Sequence, residues 1–332
     1  MRRALFTVVL LLVALFAGCK KSEPRAETSA SASVQLAPPP APSASATSLA
    51  PPALGPEWKR PFLFKVATKG KHFHLFGTIH LPDSRLDAFP PELESAFEES
   101  QAVYTEIPMD DAPQASVAPQ LMLPDGKTLP AILAPPLYQR VSGAFTSQGV
   151  PMAAIDGLKP WAVAMQLALL DHMITIALKK PLDAVIWSRA QKGGKEAGAI
   201  ETPDEQLDIF DSLKQGEQIE LLTQAVDLRE RMKKEKRDLL EELLVAYVKG
   251  SDAELLRLIH EDYDTKDALS VKLMKRMFTD RNKSMTERIL AKIGPSPSKV
   301  HFFAVGSGHL LGDDGIVARL RQRGFEVTRT VP

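Results

Sequence analysis

The chain is almost without cysteine: Cys19 stands alone among 332 residues. One cysteine cannot close an intramolecular disulfide, and none remains in the rest of the chain for thiol catalysis or haem attachment. Net charge is lacking too, since 41 Lys and Arg face 41 Asp and Glu at a pI near 7.1. With no basic excess there is no electrostatic footprint for nucleic acid, which is not an expected partner. Also missing are Gly-x-Ser-x-Gly, a phosphate loop and a His-Glu-x-x-His helix, so serine-triad, nucleotide and zincin chemistry lose their usual signatures. The apolar run at 4–16 is too short for a membrane-spanning helix, which needs roughly 20 residues.

Behind Met1-Arg2-Arg3, that run reads as an export signal over 1–18. Phe16-Ala17-Gly18-Cys19 resembles the lipobox at which bacterial lipoproteins are cleaved and acylated, with Leu15 one place further back than the usual leucine. Acylation, as with palmitate, gives Cys19 a role. Lys20-Lys21, with no aspartate, favours the outer membrane on its periplasmic side. Ala, Ser and Pro dominate 19–56, which cannot bury a core and reads as a tether. Residues 57–332, in a chain that is 44% hydrophobic, are expected to form a single folded domain.

Apolar runs at 62–67 and 72–77 flank Thr68-Lys69-Gly70-Lys71 and predict a hairpin. Pro90-Pro91 opens a helix, and 102–107 is the next strand, so strand, helix and strand predict a parallel pair with a right-handed crossover. At the far end, 300–305 reads as a strand, 314–322 as a helix and 325–328 as a closing strand. Between them lies a helical insertion over about 135–294, with an all-round apolar helix at 161–170 and a long amphipathic one over 221–248. The mixed-sign run at 229–237 reads as a solvated helix face. A short strand near 195–203 interrupts the helices and ends at Glu201. The fold class is α/β: a central, mostly parallel sheet with flanking helices and a large helical insertion.

Two strands run into the same phrase, Gly77-Thr78-Ile79-His80 and Gly306-Ser307-Gly308-His309. Glycine permits the sharp turn at a strand end, and histidine then offers an imidazole at the sheet rim. If the strands ending at His80, Glu106, Glu201 and His309 are parallel, their carboxyl ends share one edge, where open α/β sheets place their sites. Two imidazoles and the Glu106 carboxylate suit a divalent transition metal, and Glu201 is the candidate to move a proton. Structural histidines are the competing reading. His72 and His74 share a strand face and read as ordinary surface or core residues. His301 sits early in its strand, away from the rim, His172 and His260 lie on helices without partners at metal spacing, and Asp313 and Asp314 read as a helix N-terminus.

The segments Phe76-Gly77-Thr78-Ile79-His80, Tyr104-Thr105-Glu106, Gly157-Leu158-Lys159-Pro160-Trp161, Ile200-Glu201-Thr202-Pro203-Asp204-Glu205-Gln206-Leu207, Asp280-Arg281-Asn282-Lys283-Ser284-Met285 and Val305-Gly306-Ser307-Gly308-His309-Leu310 together resemble the TraB/GumN family, with its PrgY and Tiki-like branches. The resemblance implies a fold similar to the erythromycin-esterase and ChaN-like group. It also implies a metal-dependent peptidase using manganese or cobalt, with zinc as an alternative. Carried over by position, His80, Glu106 and His309 become metal or catalytic residues, while Arg281 and Asn282 orient substrate or carboxylate. This chain has Asp280 where relatives commonly have glutamate, and Thr105 where an aliphatic residue often precedes the glutamate. A metal-free hydrolase with a histidine base and a lipoprotein that binds peptide or haem are the other readings the resemblance leaves open. The expected partners are a peptide or small-molecule substrate and, through the lipid, a membrane.

Overall fold

A computed structural model describes residues 58–67, 72–110, 117–295 and 298–331. The expected signal, Cys19 and the tether lie outside the described residues. Six strands form one sheet: β1 (Leu63–Ala67), β2 (His72–Thr78), β3 (Ala102–Thr105), β4 (Glu196–Ala199), β5 (His301–Gly306) and β6 (Val327–Arg329), in the order β4-β3-β5-β2-β1-β6. β2, β5, β3 and β4 are parallel, whereas β1 runs antiparallel to β2, and β6 to β1. β5 is buried along its whole length and β2 beyond its first residue, as expected of central strands covered on both faces.

β2 and β3 are parallel but not adjacent, which corrects the expectation of a neighbouring pair. β5 lies between them, with Phe302 opposite His74 on one side and Val103 on the other. The helix α1 (Pro91–Glu99) therefore crosses two strand positions, leaving the central place to the most apolar strand.

The helices of the middle include α2 (Pro135–Thr146), α3 (Pro160–Leu169), α4 (Met173–Leu178), α5 (Leu182–Lys192), α6 (Pro203–Asp211), α7 (Gln215–Glu235), α8 (Leu239–Lys249), α9 (Asp252–Ile259), α10 (Ala268–Met274) and α11 (Arg281–Ile293). α3 is the expected apolar helix, with Trp161, Val163 and Leu167 buried where it packs along α7. By length and composition alone, Pro160–Lys192 could cross a membrane, but half of its most apolar window is buried inside the protein.

The long helix expected over 221–248 is two helices. Lys236 adopts the left-handed conformation (φ 54°, ψ 38°) that closes α7, and Asp238 caps α8 by accepting from the Glu241 amide at 3.1 Å. Nor is the charged run simply solvated: Arg229 pairs with Asp171, Arg231 with Asp262, and Arg237 with Glu242 and Glu261. The last helices are α12 (Ser307–Leu310) and α13 (Ile316–Gln322). α13 starts two residues later than expected, with Gly315 at its N-cap and Asp314 paired to Arg319.

Candidate active site at the sheet edge

Parallel pairing brings the carboxyl ends of β2, β3, β4 and β5 to one edge, and four buried residues follow those ends: His80, Glu106, Glu201 and His309. The turn after β2 rests on Gly77, where an added Cβ would stand 2.8 Å from Phe62 Cβ and 3.0 Å from Ser307 Cα. Tyr247 Oη donates to the Gly77 carbonyl at 2.7 Å. Past Thr78, the chain delivers His80 to Asp183, in the first turn of α5, with Nδ1 2.8 Å from Asp183 Oδ2. Thr78 Oγ1 donates to the other Asp183 oxygen at 2.7 Å.

His309 reaches the edge from the opposite side, carried by the single turn α12. Its Nδ1 lies 2.7 Å from Asn282 Oδ1, and Asn282 Nδ2 donates to the Asp314 carbonyl at 2.9 Å. That second bond fixes the amide's orientation, so Oδ1 accepts from His309. Each imidazole thus donates from Nδ1 and keeps the Nε2 lone pair free when neutral. Both Nε2 atoms lie 3.7 Å from Glu106 Oε1, beyond hydrogen-bond range.

Glu106 is held by three donors. The Gly306 amide reaches Oε1 at 2.6 Å, and Arg281 Nη2 and Gln206 Nε2 reach Oε2 at 2.7 and 2.9 Å. The same Arg281 and Gln206 groups donate to Glu201 Oε2 at 2.6 and 3.0 Å, and Arg281 Nε lies 3.1 Å from each Glu201 oxygen. Arg281 therefore bridges two buried carboxylates, directly after a π-helical turn at Lys275–Asp280, an irregularity frequent at functional sites.

The two imidazoles are equidistant from Glu106 but electrostatically unlike. Burial pushes both toward the neutral form. For His80 the charge and hydrogen bond of Asp183, with help from Glu106, outweigh burial and raise the pKa to about 9. His309 has only the neutral amide of Asn282 in that position, so burial and the nearby Arg281 charge lower it to about 3. Burial opposes ionisation of Glu106, yet Arg281, His80 and His309 hold it well below the usual carboxylate range.

Asp183, Gln206 and Thr78 were not singled out in the sequence. Gln206 sits five residues after Glu201 in a recognised segment, a usable signal, whereas Asp183 looks like an ordinary acid in the first turn of a helix. Among the described residues, the His, Cys, Asp and Glu group whose ligating atoms all lie within 4.8 Å of one another is His72, His74 and Glu99, not the rim. His80 and His309 thus stand apart on either side of Glu106. His172, His260 and His301 lie elsewhere, hydrogen-bonded to Asp238, the Leu256 carbonyl and the Lys299 carbonyl.

The TraB/PrgY/gumN family model matches residues 62–329. The chain belongs to this family. It is 26% identical over 299 residues to Metalloprotease TIKI1 of Danio rerio, covering 77% of this chain and 60% of that protein. Metalloprotease TIKI2 of Danio rerio is 26% identical over 302 residues, covering 78% of this chain and 58% of that protein. Metalloprotease TIKI1 of Homo sapiens is 25% identical over 297 residues, covering 76% and 59%. The chain therefore spans about 60% of the length of these curated relatives. No solved structure matches, so the expected likeness to erythromycin-esterase and ChaN-like folds gains no support from that side.

Proposed function

We propose that the chain is a metal-dependent hydrolase of peptide bonds, with His80, His309 and Glu106 holding the ion at the sheet edge. The observation that carries this reading is the pair of imidazoles whose Nδ1 atoms are engaged by Asp183 and Asn282 while both Nε2 atoms lie 3.7 Å from one Glu106 oxygen. Ligating histidines are commonly oriented this way by an acceptor on the other ring nitrogen.

Two features test whether a divalent cation fits. An added Cβ on Gly306 would stand 3.1 Å from His80 Nε2, 3.2 Å from Glu106 Oε1 and 3.5 Å from His309 Cδ2, so glycine leaves open a space between these groups, and the two rings would have to draw together to share one ion. Charge agrees in sign: the buried carboxylates of Asp183, Glu106 and Glu201 exceed the one Arg281 guanidinium by two negative charges when both imidazoles are neutral, and by one while His80 holds its proton. A bound divalent ion, with manganese, cobalt and zinc as candidates, supplies polarisation of a carbonyl and activation of water.

The chain's own residues supply position and charge. Asp183 holds the His80 ring, and Asn282 holds His309. Arg281 and Gln206 keep Glu106 ionised and aimed. Both Glu201 oxygens are engaged by Arg281, so under this reading Glu201 anchors the guanidinium and does not carry protons. The TIKI relatives are named metalloproteases, which supports the reaction class.

A second reading has its own observation. His80 favours the imidazolium and His309 the neutral ring, an acid and a base placed on either side of one carboxylate. The proposal extends to placement: acylated Cys19 and the 19–56 tether would hold the domain of 57–332 on the periplasmic side of the outer membrane.

The deciding experiment uses the full chain, stripped of metal and then reloaded with manganese, cobalt or zinc, and follows cleavage of a mixed peptide library by mass spectrometry. Activity should vanish on stripping, return with one of these ions, and be lost in His80→Ala and His309→Ala. Full activity in the stripped chain, still lost in both variants, would replace the metal reading with the acid–base one.

A further inference from the structure

At the other end of β2 two more imidazoles converge. His72 and His74 are two residues apart on the strand and so share a face. Both reach Glu99, the last residue of α1: His72 Nε2 lies 3.0 Å, and His74 Nε2 2.5 Å, from the same oxygen, Oε1. The rings stand edge to face, with centroids 5.0 Å apart and planes at 79°. Their donor atoms therefore meet at one point.

We propose that His72, His74 and Glu99 form a second metal site, distinct from the rim, for a divalent transition ion of the zinc class. Two imidazole nitrogens and one carboxylate oxygen suit zinc, cobalt or nickel, and they are the wrong donors for calcium or magnesium, which take oxygen ligands. Bonds of about 2.0–2.1 Å to such an ion place donor atoms roughly 3.3 Å apart. Both nitrogen–oxygen spacings reach that with an opening of less than ~1 Å, which the exposed Glu99 side chain is placed to make. Glu99 is 44% exposed and His72 21%, which leaves an open side for water as a further ligand, while His74 at 5% is fixed in the protein.

Two further features favour a cation here. The two histidines sit on β2, which pairs with β1 from His72 and with β5 from His74 onward, so the backbone of His74 is held on both sides. Glu99 closes α1, and the negative end of the helix dipole adds to its charge. Unlike the Nδ1 atoms of His80 and His309, His74 Nδ1 has no hydrogen-bond partner among the described residues, so the strand and Glu99 alone orient the ring. Against these stand two amines: Lys65, exposed and opposite His74 on β1, and Lys195, which donates to the Glu98 and Ser100 carbonyls. Neither donates to Glu99's carboxylate in this arrangement.

The site cannot share an ion with the rim. From His74 to Thr78 the strand alone covers about 13 Å, before the chain turns to His80. Bulk metal content would then count two ions per chain and would not report rim occupancy by itself. The inference does not depend on the rim reading.

The test is zinc binding by calorimetry to the metal-stripped full chain, with wild type, His80→Gln/His309→Gln, His72→Gln/His74→Gln and Glu99→Gln. The rim variant should keep one tight zinc site and its zinc-induced rise in melting temperature. The His72/His74 variant should lose that site, and Glu99→Gln should weaken it by about tenfold or more. Should the His72/His74 variant fail to melt cooperatively without metal, Glu99→Gln at its exposed position decides alone. Absence of zinc binding in the rim variant, or unchanged binding in Glu99→Gln, would overturn the proposal. Retained zinc in a chain with no peptidase activity upholds this site and counts against the rim reading only.

Discussion

Asp183 and His80 form a fully buried carboxylate–imidazole pair, with Oδ2 and Nδ1 2.8 Å apart. On the other side of Glu106, His309 faces an amide, and this one difference gives the two rings opposite protonation preferences.

The first prediction concerns stability against pH in the metal-stripped protein. His80, raised from 6.5 to about 9, binds its proton more tightly in the folded state, so its contribution is present below pH 6.5 and lost as pH rises through about 9. His309, lowered from 6.5 to about 3, acts in reverse: stability is lost as pH falls below 6.5. Denaturant unfolding across pH should show a maximum near 6.5, with an alkaline decline of about 3 kcal/mol at most. Asp183→Asn should flatten the alkaline limb and leave the acid limb in place. An alkaline limb unchanged by that substitution would remove Asp183 as the cause.

Arg281 should behave as a counterion that cannot be dropped. Arg281→Met leaves Glu106 and Glu201 buried without their guanidinium and should cost about 3–5 kcal/mol of stability. Adding Glu201→Gln removes one of the stranded charges and should recover at least ~1 kcal/mol, read as coupling in a double-mutant cycle by denaturant unfolding. Additive losses would show that the two groups do not act as a unit.

Much of this edge could be read from local pattern. Gly-x-x-His after an apolar strand is a short-range signal, and Glu106 and Glu201 close strands in the same way, so four edge residues were visible. What closes the site is long-range. Asp183 comes from 103 residues beyond His80, and no local feature separates it from any other acid in the first turn of a helix. The insertion of β5 between β2 and β3 is likewise a matter of which strand is most buried, which spacing alone does not reveal. His72 and His74 were visible as a shared face, but their convergence on Glu99 depends on how α1 packs against β2.

The break between α7 and α8 was invisible because neither glycine nor proline marks it. Lys236 carries a side chain in a left-handed conformation that glycine adopts without steric cost. Lys236→Gly should therefore be neutral or raise stability by up to about 1 kcal/mol in thermal or denaturant unfolding, although glycine in an ordinary helical position costs a similar amount. A loss of that size would mean that the Lys236 side chain makes a contribution larger than its backbone strain.

The two motif glycines should fail in different ways. At Gly77 an added Cβ meets Phe62 Cβ at 2.8 Å and Ser307 Cα at 3.0 Å, groups fixed in the packing beneath the edge, so Gly77→Ala should destabilise the fold by about 1–3 kcal/mol. At Gly306 the nearest atoms are His80 Nε2 and Glu106 Oε1, at 3.1 and 3.2 Å, and the backbone there (φ −51°, ψ 133°) is open to any residue. Gly306→Ala should fold with a smaller loss, yet fill the space between the donors. Its melting temperature should stay closer to wild type than that of Gly77→Ala, while peptide cleavage falls by about 100-fold or more, the scale on which ~1 Å misplacements of reacting groups act. If Gly306→Ala cleaves as well as wild type, the space bounded by His80, Glu106 and His309 is not where the reaction occurs.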